Sequence, residues 1–158
     1  MHYLLANETV RGNAIKYILE ADMDSKTEII VQEVKQDRSQ AQRRLGHMWH
    51  GEVAKQTGHT HDQIRNRIML KLAVPIFYRD RIQVNGVYSS DTIDVIRNLK
   101  TQGMQMEYQQ CMKSFVAGIT TNSFTVKQNK EFLDSYQNLA ISEGWGLTVP
   151  DELRFALD

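Results

Sequence analysis

Apolar residues recur at helical spacing over most of the chain. Helices are predicted from this spacing after Asn7, over 37–56, after Thr60, after Ser89 or Ser90, and after Thr125. Two apolar stretches, 2–5 and 27–34, are instead typical of strands. Because the chain opens with strand, helix, strand and helix, we expect an α+β fold, in which a small sheet and several packed helices form a single domain over residues 1–158.

Helix boundaries are indicated by two Thr-x-x-Gln sequences and by one glycine. Thr60 stands three residues before Gln63, and Thr125 stands three residues before Gln128. This is the spacing of a capping box, in which the threonine hydroxyl accepts a hydrogen bond from the third helical amide while the glutamine side chain accepts from the threonine amide. Gly58 is expected to end the helix over 37–56 in a left-handed conformation.

The segment after the third predicted helix is less regular. Pro75 is expected to end that helix, because proline lacks the amide hydrogen that an interior helical position needs. The Asn85-Gly86 pair indicates a tight turn, which fits either a hairpin or a partly ordered loop over 76–87. Residues 104–118 alternate like a strand in their first half and repeat like a helix in their second half, so both structures stay open there.

The predicted helix over 37–56 has one apolar face and one polar face. Its apolar side chains lie within an arc of roughly 140° and are expected to face the core: Ala41, Leu45, Met48, Trp49 and Val53. Arg43, His47 and His50 point the opposite way and are expected to be free to bind. Gln42 stands at the edge of the apolar arc, where its amide either forms an internal hydrogen bond or contacts a ligand.

The net charge of the chain is zero, but the charges are unevenly distributed. Between Lys35 and Arg81 there are ten Lys and Arg residues against four Asp and Glu residues, a net charge of +6, and the remainder of the chain carries −6. A cationic region centred on one helix is typical of a surface that binds a polyanion such as nucleic acid. The alternative is a merely solvated face on a protein that serves as a dimerisation module.

Several classes of function lack support in the sequence. Neither a glycine-rich nucleotide-binding spacing nor a Gly-x-Ser-x-Gly sequence occurs, so we predict no cofactor and no nucleophilic enzyme. Cys111 is the single cysteine, which excludes an intrachain disulfide and a zinc knuckle, and its apolar surroundings predict a core position. Because a basic leader and a long apolar run are also lacking, we expect a protein of the reducing cytoplasm that does not enter a membrane.

Four histidines that lie close together in the sequence support an alternative hypothesis: His47, His50, His59 and His61. If a turn brought their imidazoles together, they could hold a divalent metal ion for a nuclease or phosphodiesterase. However, the sequence contains neither an HExxH pattern nor a cysteine ligand to complete such a site. We therefore predict that no metal is bound and that these histidines are solvated or contact phosphate.

Two patterns in the cationic region resemble a known family. The first follows the strand-like run 27–34 and consists of Arg38, Ser39, Gln42 and Arg44. The second is the run GEVAKQ at 51–56, further along the same predicted helix. Together they resemble the signature of the phage NinB/Orf recombination-mediator family. The segments 13–15 and 151–157 are also similar to the first and last helices of that family.

The resemblance covers about two thirds of the chain and is most specific over residues 27–57. The sequence departs from the family signature at Arg43, where the family has asparagine, and at His47, where it has an aromatic residue. Residues 76–120 match the family poorly, so no DNA contact is carried over to that segment.

The resemblance implies an intertwined homodimer that binds single-stranded or gapped DNA and has no catalytic activity. It also implies cooperation with host single-strand binding protein, assistance in loading a recombinase or annealing protein, and a location in the host bacterial cytoplasm. Carried over by position, Gln42 and Arg44 would contact DNA, with Arg38 nearby. By charge, polarity and helical position, further residues are added to this predicted DNA surface: Arg43, His47, Lys55, Arg65 and Arg67.

Overall fold

The structure, a computed structural model, describes two parts of the chain: residues 8–21 and 37–157. The chain divides into two compact units: Met1–Lys35 and Gln36–Asp158. In the first unit, helix α1 (Glu8–Glu20) confirms the helix that was predicted after Asn7. The two strands predicted at 2–5 and 27–34 lie outside the described residues.

The second unit is mostly helical. Its α-helices are α2 (Arg38–Thr57), α3 (His61–Ile68), α4 (Val74–Arg79), α5 (Ser89–Thr101), α6 (Gln105–Gly118) and α7 (Val126–Glu143). Shorter segments are a π-helical turn (Met69–Ala73) and two 3-10 helices (Thr121–Ser123 and Asp151–Ala156). Strands β1 (Gln83–Val84) and β2 (Val87–Tyr88) pair antiparallel. Helices combined with one small sheet agree with the coarse α+β expectation for the part of the chain described.

Helix α2 is central to the hydrophobic core. Leu45, Trp49 and Val53 are fully buried, as their spacing predicted, and α2 contacts α3, α7 and the C-terminal 3-10 helix. Burying a large apolar side chain stabilises a fold by roughly 1.5–3 kcal/mol, so this face determines how the helix is oriented. The Trp49 indole nitrogen Nε1 donates a 2.7 Å hydrogen bond to the carbonyl oxygen of Thr148, which satisfies its one polar atom.

Several helix ends are capped by their own local sequence. At the N-terminus of α2, the Asp37 carboxylate accepts a 3.1 Å hydrogen bond from the amide of Gln40. At the other end, Gly58 has a φ of 70°, the left-handed conformation that its position predicted. Both predicted capping boxes are confirmed, at Thr60 with Gln63 and at Thr125 with Gln128. These caps satisfy amides for which the helices have no internal acceptor.

Pro75 does not end a helix, so that prediction was wrong. It lies in the first turn of α4, where a missing amide hydrogen costs no helical hydrogen bond. The chain reaches this position through the π-helical turn Met69–Ala73, which follows α3 directly. The wider hydrogen-bond spacing of a π-helical turn allows α3 and α4 to follow one another without an intervening loop.

The structure selects the hairpin at Asn85-Gly86. These two residues have positive φ angles of 52° and 81°, which match the twist of the paired strands β1 and β2. The serine cap predicted for the next helix was wrong, because Tyr88 occupies the N-cap position of α5. Ser89 is instead buried, and its hydroxyl donates a hydrogen bond to the carbonyl oxygen of Phe77.

Over residues 104–118, the structure adopts the helical alternative as α6. Met112 and Val116 are buried on one face of this helix, whereas Cys111 is exposed. The prediction of a core position for Cys111 was therefore wrong. Met106, another residue of the same apolar pattern, is 81% exposed. Part of this pattern therefore faces solvent, and only one side of α6 joins the core.

The single-domain organisation over residues 1–158 and the intertwined homodimer remain predictions. Within the described ranges 8–21 and 37–157, no helix combines the length and the apolar character needed to cross a bilayer.

Candidate functional site

Eight of the ten Lys and Arg residues between Lys35 and Arg81 divide into two sets; Arg65 belongs to neither, and Lys35 lies outside the described residues. In the first set, carboxylates of the same unit lie within ion-pair distance of Arg67, Lys71, Arg79 and Arg81. Arg67 and Lys71 both approach Glu143, at 3.7 and 3.9 Å, and the Arg67 guanidinium also lies over the ring of Trp145. Arg67 is thus partly neutralised, which leaves its predicted DNA contact with little structural support.

Arg79 is the most completely paired of these cations. Its guanidinium lies 2.7 Å from the Asp80 carboxylate and 2.6 Å from the Glu131 carboxylate. These hydrogen bonds raise the pKa of Arg79. The hydrogen bond from Arg79 also lowers the pKa of Asp80 to about 2, and it is the main cause of the lowered pKa of Glu131. Two carboxylates around one guanidinium leave no net positive charge here for an external polyanion.

Arg65 is half-buried and is held by neutral oxygens rather than by carboxylates. Its guanidinium donates hydrogen bonds to the carbonyl oxygens of Val116 at 3.4 Å and Ile119 at 2.5 Å. A third hydrogen bond, of 2.9 Å, goes to the side-chain oxygen of Asn66. The prediction treated Arg65 as a surface DNA contact, but in the fold it joins α3 to the C-terminal end of α6.

The second set of cations lies on α2 and has no carboxylate within ion-pair distance among residues 8–21 and 37–157: Arg38, Arg43, Arg44 and Lys55. Four residues within an arc of about 120°, on the side of α2 opposite Trp49, form what we call the α2 outer face: Arg43, Arg44, His47 and Lys55. Arg44 and Lys55 are about 20° apart around the helix and about 16.5 Å apart along its axis. Arg38 lies in the first turn, outside this arc.

His50 is not free, contrary to the prediction. It is 6% exposed, and its Nδ1 forms a 3.1 Å hydrogen bond with the hydroxyl of Tyr136 on α7. The prediction was wrong because α7 covers this side of α2, which the periodicity of α2 alone does not reveal. Burial is the largest cause that lowers the pKa of His50 to about 3. Positive charge on neighbouring groups contributes as well, in the order His61, His47 and Arg65.

Three of the four clustered histidines approach one another in the fold. The ring centroids of His47 and His61 are 4.4 Å apart, and those of His50 and His61 are 5.7 Å apart, while His59 is exposed. In the part of the chain that the structure describes, no group of three or more His, Cys, Asp or Glu side chains is placed to hold a metal ion. The imidazoles are therefore close together, but the described residues contain no set of ligands for the metal ion that the nuclease hypothesis requires.

Gln42 is a buried structural amide. Only 1% of its surface is exposed, and its Nε2 donates a 3.0 Å hydrogen bond to the carbonyl oxygen of Ala156. A direct DNA contact would require this hydrogen bond to break, so the internal alternative describes the residue better. Its Oε1 is buried without a hydrogen-bond partner among the residues described.

A cleft of about 190 Å³ opens next to the α2 outer face, with which it shares Arg43 and His47. Its polar lining from the rest of the unit includes Arg65, Thr121, Asn122 and Asn129. Sequence reasoning missed the last three of these, because they follow α6 and no local pattern connects them with α2. Asn129 did carry one signal: it lies one turn before Phe132 on the buried face of α7, where a polar side chain needs a partner.

Comparisons of the chain with protein-family models, with curated proteins and with solved structures found no significant match. The resemblance to the NinB/Orf family therefore remains a prediction.

Proposed function

We propose that this protein is a DNA-binding protein without catalytic activity, which binds single-stranded or gapped DNA along the α2 outer face. The observation that carries the proposal is the contrast between the two sets of cations. Arg67, Lys71, Arg79 and Arg81 have carboxylates beside them, whereas the cations of the α2 outer face have none within the described residues.

The contrast matters because a cation that is already paired gains little from a phosphate. An exposed ion pair contributes only about 0–1 kcal/mol to stability, but its carboxylate would still repel an approaching phosphate. Arg44 and Lys55 are exposed and unpaired within the described residues, so each is free to release counterions when DNA binds. The spacing of about 16.5 Å between them along the helix suits an extended strand that follows α2.

The finer features of the proposal come from the resemblance. They are a role as a phage-type recombination mediator, an intertwined homodimer, and cooperation with host single-strand binding protein and a recombinase. A homodimer would double the number of α2 outer faces and could align them along one strand. These features are separate from the basic claim, which concerns only the binding of DNA to α2.

The decisive test is fluorescence anisotropy with labelled oligonucleotides in single-stranded, gapped and blunt duplex form. Wild type is compared with Arg44→Ala and with Lys113→Ala. Lys113 is a matched control because it is also an exposed cation on a helix, α6, but lies far from the α2 outer face in the sequence and does not line the cleft. We expect Arg44→Ala to weaken binding roughly tenfold at low salt, as the loss of one charge-assisted contact predicts, and Lys113→Ala to bind like wild type.

Arg44 is exposed in mid-helix, so its replacement by alanine should leave the fold intact, as circular dichroism and thermal unfolding would verify. If Arg44→Ala and Lys113→Ala weakened binding equally, the interaction would reflect diffuse charge rather than α2. If wild type bound none of the three substrates, the proposal would be wrong, and the solvated face of a dimerisation module would describe α2 better.

A further inference from the structure

The cleft beside the α2 outer face has a distinct chemistry. Two arginines line it, Arg43 from α2 and Arg65 from α3, and none of its lining residues is acidic. The hydroxyl of Thr121 and the amide of Asn122 add potential hydrogen-bond donors, whereas the Nδ2 of Asn129 already donates a 3.4 Å hydrogen bond to the carbonyl oxygen of Phe124. A cavity with two fixed positive charges, several donors and no carboxylate favours an oxyanion over a cation or an apolar molecule.

Arg65 is held in place by hydrogen bonds within the fold. Its three hydrogen bonds go to Asn66, Val116 and Ile119, whereas a guanidinium carries five N–H groups, so two remain unused. Because all three acceptors are neutral oxygens, the positive charge of Arg65 is not cancelled. The entropy cost of ordering this side chain has already been met by folding, which favours binding.

Arg43 supplies the second charge from a different helix. It is half-buried and has no carboxylate partner within the described residues. Two like charges that line one cavity repel each other, and an anion between them converts that repulsion into attraction.

The size of the cleft suits a phosphate. By the same kind of volume measure one water needs about 10–15 Å³. The cleft of about 190 Å³ therefore holds a group of several heavy atoms. Its lining residues come from several segments of the unit, among them α2, α3, the segment around Thr121 and α7. A phosphate has four oxygens that can accept hydrogen bonds from several segments at once, whereas a carboxylate has only two.

We infer that the cleft is a phosphate-binding site, in which Arg43 and Arg65 contact the phosphate oxygens and Thr121 and Asn122 add hydrogen bonds. The cleft shares Arg43 and His47 with the α2 outer face, so a strand that follows this face would place one of its phosphates here. Only this source of the phosphate rests on the proposed function. Inorganic phosphate and a mononucleotide carry the same group and would fit the same contacts.

The test is nuclear magnetic resonance on the full-length, ¹⁵N-labelled protein. The readout is the set of backbone amide resonances of residues 120–122 and Asn129. The probes are sodium phosphate, deoxythymidine monophosphate and a single-stranded oligonucleotide, each added separately. Sodium chloride at equal ionic strength is the reference. We expect each phosphate-containing probe to shift these resonances in a saturable way. Arg43→Gln should weaken the affinity for inorganic phosphate at least about tenfold, and Thr121→Ala should weaken it less. Lys113→Gln is the matched control and should behave like wild type.

The outcomes separate this inference from the proposed function. If phosphate and the mononucleotide shift the cleft resonances but no oligonucleotide binds, the phosphate site stands and the DNA-binding proposal falls. If oligonucleotides bind through Arg44 while the cleft resonances stay unchanged with every probe, the phosphate site is wrong and the proposed function survives. If Arg43→Gln and Thr121→Ala, both folded by their spectra, bound phosphate as strongly as wild type, the site would also be overturned.

Discussion

The salt dependence of DNA binding tests whether DNA contacts only the α2 outer face or all the cations between Lys35 and Arg81. If every Lys and Arg between Lys35 and Arg81 contacted DNA, ten phosphates would be neutralised. In the structure, only Arg43, Arg44 and Lys55 lie on the α2 outer face without a carboxylate partner among the described residues. Removing one of the three, by Arg44→Ala, is the most informative perturbation, because this side chain is exposed and does not line the cleft.

The expected magnitudes follow from the release of counterions. For a single strand, log affinity falls with log salt by about 0.7 for each phosphate neutralised, so three cations give a slope of about −2.1 per protomer, whereas ten would give about −7. Between about 50 and 200 mM salt, a slope of −2.1 corresponds to a loss of about 18-fold in affinity. Arg44→Ala should reduce the slope to about −1.4 and the loss to about sevenfold.

The assay is anisotropy with one labelled single-stranded oligonucleotide, short enough to bind a single protein unit, measured at several chloride concentrations. Wild type, Arg44→Ala and Lys113→Ala are compared at the same temperature and pH, with stoichiometry checked at saturation. A slope near −7, or a slope that Arg44→Ala leaves unchanged, would refute the assignment of binding to the α2 outer face. A reduced slope in Lys113→Ala would refute it as well.

Three further predictions concern residues next to the α2 outer face and the cleft: His50, Arg65 and Gly46. Because the unfolded state binds a proton at His50 near pH 6.5 and the folded state only near pH 3, the free energy of unfolding should fall as the pH decreases through this window, by up to about 1.4 kcal/mol per pH unit. Urea denaturation of wild type and His50→Gln as a function of pH checks this, and equal pH slopes in the two proteins would contradict it. Arg65→Gln should lower the free energy of unfolding by about 1–3 kcal/mol, because it unpairs buried carbonyl oxygens at the end of α6. A loss below about 0.5 kcal/mol in the same assay would count against a role of Arg65 in joining α3 to α6. Gly46→Ala should stabilise α2 by about 0.5–1 kcal/mol, because alanine favours a helix interior over glycine. The added Cβ would lie at ordinary contact distances, 3.6 Å from Leu133 and 3.7 Å from Phe132. A lower melting temperature would show that the core cannot accept the added Cβ.

The helical framework could be predicted to a large extent from local sequence. The caps at Thr60 and Thr125, the left-handed Gly58 and the buried stripe of α2 depend on interactions between residues only a few positions apart, so short patterns report them well. Pro75 was misjudged because the π-helical turn before it allows the helical path to continue, and nothing in the local pattern indicates such a turn.

The candidate site could be predicted only in part, because the state of a charge depends on its partner. Arg67 pairs with Glu143 from α7, and Arg79 pairs with Glu131, which is also on α7. These carboxylates come from the acidic part of the sequence, so folding cancels much of the charge asymmetry that suggested a broad basic surface. Among the described cations of this region, those of α2 and Arg65 on α3 are left without such partners, and of these Arg43, Arg44 and Lys55 lie on the face of α2 opposite Trp49.

The amino-acid sequence by itself determined where α1, α2, α3 and α7 begin, where α2 ends, and which face of α2 enters the core, because capping and periodicity act over a few residues. Only the tertiary structure decided which cations remain available, why His50 is buried, and that Arg65 and Thr121 meet at one cleft. These outcomes depend on contacts between segments that are far apart in the chain. A local sequence pattern does not show which of these distant side chains come into contact.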